Sequence, residues 1–223
     1  MTHSQHRIEL PISQEDFRRL PQHPGYRYDY FNGTVVITPA SSEHHAVLQL
    51  DSVQSDHVRN RNPIELTIQP LTSAGFDELA DLFAASAGSL PAFHGLSGDQ
   101  LRQASENRLR RTLSGGDGQL LVNAGFVAVD DGNEQLLGAV MITSEWEPGV
   151  PAHRPHLTWI FVSPTALRRG IATTLLSSSI QSLKKDGHSM LLSTFDSGNV
   201  PSLLWHWKNG FRLTRAAPAP HQS

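Results

Sequence analysis

One run of the sequence combines residue types that could do chemistry together: Phe161-Val162-Ser163-Pro164, then Arg168-Arg169-Gly170-Ile171-Ala172-Thr173. It reads as a strand, a turn and the opening of a helix. A helix start carries backbone N–H groups with no intrahelical partner and the positive end of the helix dipole. Gly170 lets a ligand come close to the backbone, and Ala172 keeps the first turn small. Such a turn suits a pyrophosphate, with Arg168 and Arg169 adding charge-assisted contacts. Many strand–turn–helix units carry the same residues for packing and solubility alone, so the bare turn leaves both readings open.

What the chain lacks narrows the chemistry. Among its 223 residues there is no cysteine. Disulfides, zinc-thiolate sites and a cysteine acyl-enzyme are therefore excluded. Any acyl transfer must use another nucleophile or pass directly from donor to acceptor. The 18 basic and 21 acidic residues leave a net charge of -3, which points to neither a nucleic-acid nor an anionic-membrane partner. No apolar run approaches the roughly 20 residues that span a bilayer. The first ten residues are polar and carry no signal-peptide core. A soluble, cytoplasmic protein is expected.

The elements that must position the turn can be read along the chain. Residues 13–19 form a short helix with Ser13 and Asp16 placed as a capping box. Strands at 26–31 and 34–38 flank Asn32-Gly33, a strong hairpin signal. Residues 46–53 are ambiguous, with Leu48 and Leu50 weakly favouring a strand. The polar run Arg59-Asn60-Arg61-Asn62-Pro63 marks a boundary between an extension, 1–60, and a main domain, 61–216, followed by a loose Pro- and Ala-rich tail, 217–223. Beyond the boundary, strands and helices alternate. A strand is expected at 64–69, helices at 74–85 and 97–113, and strands at 119–129, 135–143 and 156–162. The clearest helix is 169–186, with Ile171, Leu175, Leu176, Ile180 and Leu183 on one face and Gly187 to end it. A strand at 190–195, a short helix at 201–209 and a strand at 211–215 complete the order.

The run Leu167-Arg168-Arg169-Gly170-Ile171-Ala172 resembles the coenzyme A-binding motif of the GNAT superfamily of N-acetyltransferases. There a strand ending near a proline leads to (Gln/Arg)-x-x-Gly-x-(Gly/Ala) and a helix. Leu167 departs from the motif's first position. Downstream, Asn199, the short helix and Gly210-Phe211 match the family's next element. The resemblance covers 157–213 by motif and 64–143 by element order alone.

The resemblance implies an α/β fold: a mixed, mostly antiparallel sheet flanked by helices, here with an N-terminal β-hairpin extension. It implies acetyl-CoA as co-substrate, no metal, and direct transfer to a primary amine of a small molecule or peptide. Two neighbouring parallel strands would splay to admit the pantetheine arm, with backbone groups of Phe161, Val162 and Ser163 beside it and Asn199 near the coenzyme. His206 falls where the family has a tyrosine proton donor. It also fits an ordinary half-buried place between Trp205 and Trp207, of which at least one should pack on the sheet. For the base, Glu145 and Glu147 follow one strand, and His153 and His156 precede the next; each also reads as a loop residue. His153-Arg154-Pro155-His156 has a metal-like spacing, but Pro155 breaks helical geometry and no third ligand is evident. A non-catalytic acyl-CoA-binding module is the alternative reading.

The run Tyr26-Arg27-Tyr28-Asp29-Tyr30-Phe31-Asn32-Gly33 is also similar to the opening hairpin of a nuclease-fold family. The carboxylate–carboxylate–lysine set of a nuclease does not follow, so the extension reads as structural. Members of the acetyltransferase family end with two strands after the short helix, and this chain has one. The sheet would then expose an unpaired edge beyond 190–195. The hairpin at 26–38 is expected to cover it, within the chain or in a homodimer.

Overall fold

The computed structural model describes residues 8–20, 26–31, 33–39, 43–53, 66–88, 90, 93, 95–145, 154–196 and 199–214. At the start, Ser13 caps α1 (Gln14–Arg19): its Oγ accepts the Asp16 N–H at 3.1 Å. Strands β2 (Tyr26–Phe31) and β3 (Thr34–Pro39) pair antiparallel as the hairpin, with Phe31 opposite Thr34. β1 (Ile8–Pro11) joins β3, giving a small sheet in the order β1-β3-β2.

The main sheet contains β4 (Glu43–Gln49), β5 (Leu66–Pro70), β7 (Phe126–Asp130), β8 (Leu136–Glu145), β9 (Arg154–Val162), β10 (Met190–Asp196) and β11 (Arg212–Thr214). Their order is β11-β4-β10-β9-β8-β7-β5, and the short β6 (Gln119–Leu120) pairs with β8. Every pairing is antiparallel except that of β9 with β10. This is the mixed, mostly antiparallel sheet expected.

Two expectations are corrected. The hairpin does not complete the main sheet; it belongs to the separate small one. The missing place between β10 and β11 is filled by β4, which pairs antiparallel with both. Alternation explains why 43–49 suits the interior of a sheet. Ala46 and Leu48 are buried on one face, while His45 and Val47 are half-buried on the other. The main sheet thus draws strands from both sides of the Arg59–Pro63 run, which lies outside the described residues. The second correction concerns 119–129, expected as one strand. A 3-10 turn at Val122–Ala124 breaks it. The carbonyls of Asn123 and Ala124 turn away from the ladder and accept Ser182 Oγ and Ser179 Oγ, each at 2.7 Å.

Helices cover both faces. α2 (Phe76–Ala87) and α3 (Gly98–Leu113) pack Leu79, Leu82, Phe83 and Leu109 against Val127, Ala139, Met141 and Phe161. On the opposite face, α4 (Ile171–Lys185) buries Ile171, Leu175, Leu176, Ile180 and Leu183, the apolar stripe read from the sequence. They meet Leu48, Leu137, Ile142, Leu157 and Leu191. Full burial of each such side chain is worth about 1.5–3 kcal/mol. Gly187 N–H to Lys184 O and His188 N–H to Leu183 O close α4 as a Schellman turn. α5 (Val200–Lys208) lies on the same face, and no helix among the described residues is long and apolar enough to cross a membrane.

Candidate active site

β9 and β10 are paired only at His156–Leu192 and Leu157–Ser193. Beyond these pairs the two strands run on toward their C-terminal ends without pairing, leaving an unpaired gap between them. A register shift between Met141 and Ile142 on β8 leaves Thr158 as an extra residue on β9 at the point of parting. Bulges bend the strand that carries them, which accounts for the divergence here. The Ser163 N–H is taken by Leu137 O at 2.8 Å. Backbone groups alternate in direction along an antiparallel strand, so Phe161 and Ser163 face β8 while Ile160 and Val162 face the gap. Of the three residues expected beside the pantetheine arm, Val162 therefore has its backbone directed there.

The gap leads to the start of α4. After the 3-10 turn Pro164–Ala166, Arg168 has φ +62° and Gly170, the N-cap, has φ +83°. A left-handed N-cap is cheap for glycine and costs roughly 1–2 kcal/mol for other residues. It exposes Gly170 and turns the chain so that Ile171, Ala172 and Thr173 present the N–H groups that helix geometry leaves unpaired; the ladder begins with Thr174 N–H to Gly170 O at 3.0 Å. Ile171 contributes its N–H alone, since its side chain is 1% exposed in the core. The helix start is held close to the sheet by Gly138, where a Cβ would stand 3.0 Å from Ile171 Cγ2 and 3.1 Å from Phe161 O. Arg168 is exposed and Arg169 half-buried. Leu167, at the departing motif position, is 56% exposed and its side chain offers no polar group.

α5 borders the gap from the β10 side. Asn199 is its N-cap, with Oδ1 accepting the Ser202 N–H at 3.1 Å. Trp205 packs against the core while Trp207 is 72% exposed. His206 is 4% exposed and stacks on Phe195 at 4.3 Å. Its Nδ1 lies 2.8 Å from the Ser202 carbonyl, which can only accept, so Nδ1 carries the proton. Nε2 then accepts the Ser193 hydroxyl at 2.8 Å. Burial pushes the imidazole below its ordinary pKa, only partly offset by the Ser202 carbonyl. A neutral ring in this tautomer has no proton to give at Nε2. Both ring nitrogens of the buried His206 are thus bonded within the fold.

Among the candidate bases, Glu145 ends β8 opposite Arg154. Glu147 and His153 lie outside the described residues. His156 is not a loop residue: it lies in β9 with Nε2 3.2 Å from Thr194 Oγ1. Sequence reasoning missed Thr158 and Thr194, which bond to it, and His45, which bonds to Thr194. Nothing local could have revealed them, because the bulge and the strand order bring them together. Nearby, Trp159 Nε1 donates to Thr112 Oγ1 at 2.9 Å, and Thr112 donates to Asp117 Oδ2 at 2.6 Å, tying β9 to α3. No group of three or more His, Asp or Glu among the described residues could hold a metal ion.

The model of the Acetyltransferase (GNAT) family matches residues 96–211. No curated protein matches the sequence. Among solved structures, the PaiA N-acetyltransferase of Thermoplasma acidophilum, in complex with coenzyme A, is 17% identical. The alignment covers 69% of this chain and 93% of that one, with a TM-score of 0.51. A GCN5-related N-acetyltransferase from Sphaerobacter thermophilus is 18% identical over 94% of this chain and 57% of its own, with a TM-score of 0.53. At these identities the likeness is one of fold.

Proposed function

This chain belongs to the GNAT acetyltransferase family, and from that premise we propose that it moves the acetyl group of acetyl-CoA directly to a primary amine. The observation that carries the reading is the gap between β9 and β10 opening onto a helix start with a left-handed Gly170. The N–H groups of Ile171, Ala172 and Thr173 hold the pyrophosphate, aided by Arg168 and Arg169. The pantetheine arm lies in the gap against the outward backbone of Val162, and the thioester reaches the point of parting near Thr158. The amine attacks the thioester carbon, the C–N bond forms as the C–S bond breaks, the nitrogen gives up a proton to solvent, and the thiolate takes one from solvent.

Calorimetry with acetyl-CoA tests the cradle. Gly170→Glu adds backbone strain, bulk and a negative charge where the phosphates sit, and affinity should fall by at least ~10²-fold, from the summed left-handed strain and charge terms. Unchanged affinity in a folded variant would sink the cradle. The acceptor is sought among polyamines, amino acids, aminoglycosides and peptide N-termini. A second reading, a non-catalytic acyl-CoA-binding module, draws on His206, which stands neutral and internally bonded where the family has a proton donor. Tight coenzyme binding with no transfer to any amine would favour it.

A further inference from the structure

On β10, Ser193 and Phe195 face α5, so Leu192 and Thr194 point to the opposite face. Residues paired across a sheet share a face. His45 of β4 stands opposite Thr194, and His156 of β9 stands opposite Leu192. On this face the apolar cluster of α2 and α3 includes no residue of β4, β10 or β11. A string of polar atoms runs across it. His156 Nε2 is 3.2 Å from Thr194 Oγ1, which is 3.4 Å from His45 Nδ1. Beside it, Thr158 donates to the His156 carbonyl at 3.3 Å, and its hydroxyl meets that of Thr143 at 2.8 Å. All but the buried Thr143 are half-buried. Thr194 is the first residue of β10 beyond the last β9 pair, so the string crosses the gap where it opens.

A threonine hydroxyl has one proton. It can donate to only one of these imidazoles and must accept from the other. The two rings are therefore coupled: if His156 Nε2–H donates to Thr194, Thr194 donates to His45 Nδ1, or the whole sequence reverses. Such an arrangement passes a proton from one ring to the other by shifting each bond once.

We propose that this His45–Thr194–His156 string receives the proton of the acceptor amine, so that strand β4 forms part of the acceptor site. The proposal rests on the reading of the chain as an amine acetyltransferase. The ammonium N–H bond breaks and its proton goes to the His156 imidazole. The freed lone pair forms the C–N bond as the C–S bond breaks, the nitrogen's second proton passes to solvent, and solvent protonates the departing thiolate. His156 is the base; Thr194 and His45 are positioning residues that spread the charge away from the reacting centre. Among the described residues, the charged groups on this face include Glu43 of β4, Asp196 of β10 (opposite Glu43), Arg154 of β9, opposite which β8 ends at Glu145, and Arg212 of β11, with Arg108, Arg111 and Asp117 on the α3 side. On the other face His206 meets Ser193 and Phe195.

The test compares the full chain with His156→Gln, His45→Gln, Thr194→Val and Thr194→Ser. Calorimetry gives acetyl-CoA affinity, and transfer to the best amine of the panel is followed across pH. Acetyl-CoA affinity should be unchanged in all four. At neutral pH kcat/KM should fall ~10²-fold or more in His156→Gln, recovering at alkaline pH where the amine is already deprotonated. His45→Gln and Thr194→Val should displace the acid limb of the profile, and Thr194→Ser should restore it. A wild-type profile in His45→Gln, with the wild type active, overturns the string alone. Acetyl-CoA binding without transfer by the wild type overturns the amine reading and the string with it. If His156→Gln fails to fold, the His45 and Thr194 variants decide.

Discussion

The turn around Gly170 and the string from His45 to His156 are assembled in different ways. The turn is local. Its strand, loop and helix follow one another from Arg154 to Lys185, and a left-handed glycine sets the geometry. The string is made from three strands, and its two bonds to Thr194 span 38 and 149 positions of sequence. A site built locally can survive damage to the distant sheet edge; a site built from that edge cannot. Coenzyme binding and acceptor chemistry should therefore be separable by mutation.

The most severe test removes β4. Deleting residues 1–60 takes a strand from between β10 and β11, and the core should aggregate although the turn is intact; soluble yield and light scattering will show it. Deleting only 1–39 leaves β4 in place and should give a soluble protein. If both deletions behave alike, the edge does not depend on β4. A smaller effect is expected at the local end. Gly138→Ala forces a methyl against Ile171, Leu175 and the Phe161 carbonyl. Overpacking of this kind costs about 1–3 kcal/mol. Chemical denaturation should register that loss, and calorimetry should find weaker acetyl-CoA binding because the helix start is displaced.

The smallest effect is a pH dependence at His206. The folded protein keeps this ring neutral, because burial lowers its affinity for a proton. The unfolded chain does not. Its contribution is neutral above the ordinary imidazole pKa of about 6.5. As pH falls below that value, the unfolded state binds a proton that the folded state refuses, and stability declines until the lowered folded value is passed. Melting curves of His206→Phe should show a flatter decline on the acid side. An equal slope in both proteins would mean that other groups set it.

The same contrast explains what could be read from the sequence. The stripe Ile171–Leu183, the Ser13 cap, the hairpin and the order of elements from β5 to β11 follow from local periodicity and turn chemistry. So does the strand–turn–helix around Gly170. β4 was ambiguous because a seven-residue run with Ala46 and Leu48 on one face carries no mark of its partners. The strand expected from His156 begins two residues earlier, at Arg154, and takes in the buried Pro155, whose presence in a strand interior local propensity does not suggest. The bulge at Thr158 and the tautomer of His206 depend on neighbours from other elements, which periodicity does not name.

The place of β4 also sets an order of events during synthesis. His45 leaves the ribosome 149 residues before Thr194, its partner on β10. At roughly 5–20 residues per second, that interval is on the order of 7–30 s. Throughout it, β4 has apolar Ala46 and Leu48 on one side and no neighbour to pair with. Closing so long a loop is also slow, since the entropy of bringing its ends together must be met before any contact rewards it. The strand made early is thus inserted late, only once β10 has been made.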